Sequence, residues 1–170
     1  MKEELKLNQN NFIALNNMGN IFSAKNDLKK AKNFFSKAIN IKKDYSNAIF
    51  NLALVNEEIG NKEEAIKLYK NAIEYDPDNL GIFYNLSRID KSFFLGNNIE
   101  KIKKILKDKK NSNFIKASGL FVLAEDQRNK IKFKEEFQYL IEAHKFFHFS
   151  SEKINNQISF YWLRLMPKII

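Results

Sequence analysis

Small and apolar residues return along this chain in blocks of fixed length. Gly19, Ala31, Phe35 and Ala38 recur as Ala53, Ala65, Tyr69 and Ala72, each pair 34 positions apart. Between them stand the polar turn formers Asn26-Asp27 and Gly60-Asn61, which divide each block into two helices. Pro77 follows the second block, where a new helix must begin. The pattern predicts a succession of helical hairpins. Two helices approach closely only where side chains are small, so Gly19, Ala53, Ser87 and Ala124 on first helices are expected to face Ala31 and Ala65 on second helices. Phe22, Phe35 and Tyr69 then fill the space between hairpins, because no single hairpin buries its apolar face alone.

This period resembles the tetratricopeptide repeat, a helix-turn-helix unit. The resemblance implies an all-α fold: a right-handed superhelical array of such repeats in one domain, 1–170, with a C-terminal capping helix. The register places repeats at about 12–45, 46–79, 80–113 and 117–150, and the capping helix at 151–166. The third repeat opens well with Phe83, Leu86 and Ser87. Its turn at Gly96-Asn97-Asn98 then comes two residues late, and Lys101 and Asp108 occupy positions where alanines belong. The fourth places Leu120, Leu123 and Ala124 on one helix and Phe133, Leu140 and Ala143 on the other, joined through Arg128-Asn129-Lys130. Glu136 stands there in place of a small residue.

After Ser150, the residues Ile154, Ile158, Tyr161, Trp162 and Leu165 form an i, i+4, i+7, i+8, i+11 stripe suited to a helix packed on the last repeat. Phe160, Leu163 and Met166 lie off that stripe and make the helix apolar nearly all round. Two readings follow: residues 154–166 contact a second subunit, or a further domain completes a longer protein.

Composition narrows the chemistry. With 44% hydrophobic residues in 170, the chain can bury a continuous core. It has no cysteine, which excludes disulfides and thiolate metal sites. Its first residues, Met1 to Lys6, lack a signal-peptide core, and no apolar run reaches the roughly 18 residues of a membrane span. A cytoplasmic location and no membrane partner are expected. The net charge of +9 is densest at Lys101, Lys103, Lys104, Lys107, Lys109 and Lys110. Ile99, Ile102, Ile105 and Leu106 form the opposite stripe of that helix, so the lysines read as a solvated face. Neither stacking aromatics nor an arginine-rich reading face is interleaved with them, which argues against nucleic acid.

Catalytic groupings are sparse. His144 and His148 have the four-residue spacing of a metal pair, but no third ligand follows and Phe146, Phe147 and Phe149 surround them. Glu57-Glu58, Glu63-Glu64 and Glu135-Glu136 are adjacent pairs that point in different directions on a helix and read as solvated. Phosphate-binding loops and nucleophile elbows are missing from the sequence. A non-catalytic chain that needs no cofactor and no metal is expected.

What remains is the surface made by stacking hairpins, whose first helices are expected to line a concave groove. Asn17, Asn51 and Asn85 form one row at the repeat spacing, with Asn16 and Asn20 at its start and Phe50, Leu54, Tyr84 and Arg88 beside it. A carboxamide offers both donors and an acceptor, as an extended peptide backbone requires. The aromatics suit side chains, and Arg88 suits a carboxylate. These residues are the candidate site for a protein or peptide ligand. The repeat family also includes clamps for chaperone C-termini, built from two asparagines and three cations. Asn20 and Asn51 match the asparagines, but Asn16, Gly81 and Asn85 occupy the cationic positions, so that ligand is not expected.

A second resemblance lies toward the end of the chain. Leu123-Ala124-Glu125-Asp126, Phe133-Lys134-Glu135-Glu136-Phe137, the run from Glu142 to Phe147, and Tyr161-Trp162 look like the junction region of bacterial tetratricopeptide-repeat sulfotransferases. That resemblance implies a repeat arm preceding a catalytic domain, whose phosphosulfate-binding loop is not in these 170 residues. The chain then reads as the partner- or substrate-binding arm of a sulfotransferase, with a free-standing assembly adaptor as the alternative.

Overall fold

The computed structural model describes residues 11–108 and 110–150, with side chains as far as residue 147. The expected capping helix at 151–166 and Lys109 lie outside the described residues. The described chain is helical throughout, with no strand among the described residues. Its α-helices are α1 (Phe12–Ala24), α2 (Leu28–Ile41), α3 (Ser46–Glu58), α4 (Lys62–Tyr75), α5 (Leu80–Ile89), α6 (Asn98–Leu106), α7 (Asn113–Asn129) and α8 (Phe133–Ser150). A short 3-10 helix, Lys91–Leu95, follows α5. Two compact units divide between Leu95 and Gly96.

Sequence-local chemistry sets the helix ends. The side chains of Asn11, Asp27 and Ser112 cap α1, α2 and α7 by accepting from the backbone N–H of Ala14, Lys30 and Ile115. The turns inside three hairpins share one geometry. The amide of Asp27 donates to Phe22, that of Asn61 to Asn56 and that of Lys132 to Gln127, at 2.9, 2.8 and 2.9 Å. Each is the long hydrogen bond of a Schellman cap, which puts the preceding residue in the left-handed region. Those residues are Asn26 (φ 59°), Gly60 (φ 86°) and Ile131 (φ 60°).

Asparagine and glycine tolerate that conformation; a β-branched isoleucine does not. Ile131 is 75% exposed, so its side chain recovers little by burial. Ile131→Gly should therefore raise the stability of the second unit by about 0.5 to 1 kcal/mol, read as a higher urea midpoint. An unchanged or lower midpoint would show that the turn holds isoleucine without strain.

The first unit has a continuous core. Ala31 and Phe35 of α2 pack with Leu52 and Val55 of α3, flanked by Phe22, Leu28, Ile39 and Leu68. Leu15, Ala38 and Ala48 form a neighbouring cluster with Phe12, Phe34 and Tyr45. One packing expectation changes in detail. Gly19 meets the Phe35 ring rather than a small residue: a Cβ added at Gly19 would lie 2.4 Å from Phe35 Cε1. The glycine makes room for an aromatic ring, and that ring brings the two helices together.

In the expected third repeat the chain keeps its break before Asn98, but the helix that should lead up to it is shorter than the pattern predicts. That helix stops at Ile89, because Asp90 Oδ1 accepts from the Ser92 N–H at 3.0 Å and the Ser92 hydroxyl at 2.6 Å. Such a side-chain bond competes with helix continuation. Phe93 in the ensuing 3-10 turn is buried and meets Phe83 edge-on at 6.0 Å.

In the second unit, Ile99 and Ile102 of α6 are buried, while Lys101, Lys103, Lys104 and Lys107 are exposed as the stripe predicts. The following helix begins at Asn113, four residues before the expected Ala117, where Ser112 supplies the cap. Leu120, Leu123, Ala124 and Ala143 are buried as expected, but Phe133 is 64% exposed.

Candidate functional site

The candidate groove residues of the first unit lie on α1, α3 and α5. Of the expected row spaced by one repeat, Asn17 is exposed and Asn51 and Asn85 are half-buried. Its bonding runs diagonally instead of along the row. Asn51 Nδ2 donates to Asn16 Oδ1 and to Asn20 Oδ1, both at 3.0 Å, because Asn16 and Asn20 stand one helical turn apart on α1. Asn16 is only 5% exposed and lies beneath this bridge. With the Asn51 amide nitrogen spent on its neighbours, Oδ1 of Asn51 and Nδ2 of Asn20 stay uncommitted among the described residues. Asn85 is occupied differently: it donates to the Gly81 carbonyl at 2.8 Å and accepts from Arg88 at 3.3 Å.

The apolar members flank these amides. Phe50 and Leu54 are half-buried, and the Phe50 ring lies 5.9 Å from that of Tyr69. Arg88 stands 5.9 Å over the half-buried Tyr84 ring.

Two residues outside the sequence-derived set organise Arg88. The buried Tyr69 hydroxyl donates to Glu57 Oε2 at 2.7 Å, and Glu57 Oε1 lies 3.7 Å from the guanidinium of Arg88. Burial first, and then the Glu57 carboxylate, push the Tyr69 phenol above the ordinary tyrosine range. Glu57 is thus not simply solvated, as its adjacent-pair spacing suggested. It is fixed by tyrosine on one side and holds the arginine on the other. The recurrence of an aromatic at the Phe35 position, here with a hydroxyl, was the available signal.

Other polar groups have structural partners. Lys70 pairs with Asp90 at 2.8 Å, and Lys70 and then Ser92 hold the Asp90 carboxyl below the usual carboxylate range. Lys32 donates to the buried Asn56 at 3.1 Å. Glu136, expected to be solvated, is 9% exposed and accepts from Arg128 at 2.7 Å; buried Asp126 is paired with Lys130 at 2.7 Å. His144 meets the Phe121 ring edge-on at 5.3 Å, and the side chain of His148 lies outside the described set. Among the described residues no group of three or more His, Cys, Asp or Glu is placed to hold a metal ion, and no helix is long and apolar enough to cross a membrane.

Comparison with known proteins agrees with the hairpin geometry. Residues 13–45 match the family model of the tetratricopeptide repeat, and residues 58–87 match a second described as a TPR repeat. The solved structure of MamA is similar at 20% identity, over 89% of this chain and 86% of that one, with a TM-score of 0.61. A MamA fragment from Desulfovibrio magneticus RS-1 is similar at 18% identity, over 85% and 80%, with a TM-score of 0.59. YrrB, described as a TPR protein with an unusual peptide-binding site, is similar at 12% identity, over 96% and 97%, with a TM-score of 0.55. No curated protein matches the chain by sequence. The fold class is that of tetratricopeptide-repeat proteins.

Proposed function

We propose that this chain is a non-catalytic scaffold that binds an extended peptide or protein segment along α1, α3 and α5. The observation that carries the reading is the carboxamide bridge. Asn51 is held in place by Asn16 and Asn20, and an acceptor and a donor remain for a ligand backbone, with Phe50 and Leu54 beside them. Arg88, steadied by Glu57 and Tyr84, suits an acidic group on the same ligand. The peptide-binding description of YrrB supports the reading by fold analogy.

The test is selection of binding peptides from a displayed random library, followed by titration of those peptides against variants. Asn51→Ala with Asn20→Ala should weaken binding by about 1 to 3 kcal/mol, because ligand groups lose their acceptor and donor on desolvation, and the urea midpoint read in parallel separates this from what the lost bond to buried Asn16 costs the fold. Charge reversal at Lys103 and Lys104 serves as the control. Binding that survives the asparagine changes but collapses on lysine reversal, in a salt-dependent way, would move the functional surface to the basic face of α6.

In its narrower form, the scaffold is the substrate- or partner-binding arm of a larger sulfotransferase, supported by the junction-like runs at 123–126, 133–137 and 142–147. The alternative is an assembly adaptor that dimerises through residues 154–166. Sequence downstream of Ile170 in the parent gene separates them: a strand leading to a serine- and arginine-bearing phosphate loop supports the first, and a stop codon the second.

A further inference from the structure

The turn between α7 and α8 differs in chemistry from the two turns it matches in geometry. Asn26 and Gly60 hold the left-handed position in the first two hairpins, and both are exposed. In the last hairpin that position belongs to Ile131, with φ 60° and 75% of its surface in solvent. A β-branched residue is strained there and recovers little by burial, so the needs of the fold do not account for it. Its neighbours continue the pattern. Lys130, Ile131, Lys132, Phe133 and Lys134 alternate basic and apolar side chains, and all five are exposed.

Positive charge gathers in the same unit. Residues 1–95 hold 14 Lys and Arg against 12 Asp and Glu, a net +2, whereas residues 96–170 hold 15 against 8, a net +7. The α6 lysines adjoin the turn: Lys103 first, and then Lys107 and Lys130, hold the Glu100 carboxyl below the usual carboxylate range. Lys130 is spent on Asp126 and Lys103 on Glu100, but Lys101, Lys104, Lys107, Lys132 and Lys134 have no ion-pair partner among the described residues. The backbone of the turn is satisfied internally, since the amides of Ile131 and Lys132 donate to the carbonyls of Arg128 and Gln127. What faces outward is therefore two large apolar side chains set among long basic ones.

Burying such a tip in a protein would take a pocket of matched shape. A fluid anionic bilayer takes apolar side chains at its headgroup boundary and lysines among its phosphates without one. We infer that the α7–α8 turn docks on an anionic lipid surface, with Ile131 and Phe133 entering the headgroup boundary and Lys132 and Lys134 pairing with lipid phosphates. The α6 lysines add longer-range attraction. The expectation of no membrane partner rested on the lack of a spanning run, and a surface contact needs none. The inference is independent of the groove reading, since it involves no residue of α1, α3 or α5.

The test is sedimentation of the full chain with vesicles of equal parts phosphatidylglycerol and phosphatidylcholine, and with vesicles of phosphatidylcholine alone. The chain should sediment with the first and not with the second, and added salt should weaken the binding. Lys132→Glu with Lys134→Glu should reduce it several-fold. Ile131→Gly is the sharper variant, because it relaxes the turn. Its urea midpoint should rise while its vesicle binding falls several-fold, an opposition that a merely structural residue would not show. Because the chain has no native cysteine, Ile131→Cys can carry an environment-sensitive fluorophore, whose emission should shift to the blue on the mixed vesicles.

Failure to sediment with the mixed vesicles would overturn the inference. So would binding indifferent to both Ile131→Gly and the lysine reversals, since another part of the chain would then make the contact. Salt-sensitive binding of polyglutamate that is lost on lysine reversal, with no binding to vesicles, would assign the tip to an acidic protein segment instead.

Discussion

Phe35→Ala should destabilise the first unit by about 3 to 5 kcal/mol, measured as a lowered urea midpoint at unchanged slope. Phe35 is 1% exposed and forms one cluster with Ala31, Leu52 and Val55, so its removal leaves a cavity that rigid helices on both sides cannot close. Its relation to Gly19 makes the prediction sharper. Alone, Gly19→Ala should cost about 1 to 3 kcal/mol, since its new Cβ would press on a buried ring from 2.4 Å. In the Phe35→Ala background the same methyl enters the vacated space and gains helix propensity of about 0.5 to 1 kcal/mol. The double variant should then be no less stable than Phe35→Ala alone. Additive losses would mean that the glycine is required for some reason other than the ring.

The second large effect is expected from Ala65→Leu. Ala65 is fully buried on α4, at the position equivalent to Ala31, and three added carbons must displace helix backbone or neighbouring core groups. The cost should be about 1 to 3 kcal/mol in the denaturation midpoint. A normal midpoint would show that α3 and α4 are not in close contact there and would remove support for the register. The equivalent position in the last hairpin is Glu136, and its presence does not weaken the argument. That carboxylate reaches half-exposed Arg128 at 2.7 Å, so the longer side chain ends in a satisfied ion pair. Leucine at 65 would have no such exit.

The comparison between Ala65 and Glu136 shows where reading the chain succeeds. Periodicity placed the small residues at 31, 65, 38, 72 and 143, and all are buried. Turn chemistry placed the breaks at Asn26 and Gly60, and both adopt the left-handed conformation those residues favour. Burial of a repeated position and the backbone preference of a turn residue are local quantities, so a single sequence carries them. The stretch of the expected third repeat was harder to read. Asp90 ends α5 through a hydrogen bond to Ser92 that competes with a well-formed helical pattern, and the pattern alone does not indicate which wins.

The candidate groove divides along the same line. The chain itself determined that α1, α3 and α5 each carry an asparagine at the repeat spacing, because the spacing is a property of the residues alone. Tertiary structure decided that Asn51 bridges Asn16 and Asn20, that Asn85 is turned back onto Gly81, and that Glu57 links Tyr69 to Arg88. A carboxamide or carboxylate bonds whichever groups come within about 3 Å, and that depends on how neighbouring helices are set against each other. The exposure of Phe133 and Phe137 is decided in the same way. An aromatic residue in helical register announces a face to be buried, and only the packed structure shows whether a neighbour lies against it.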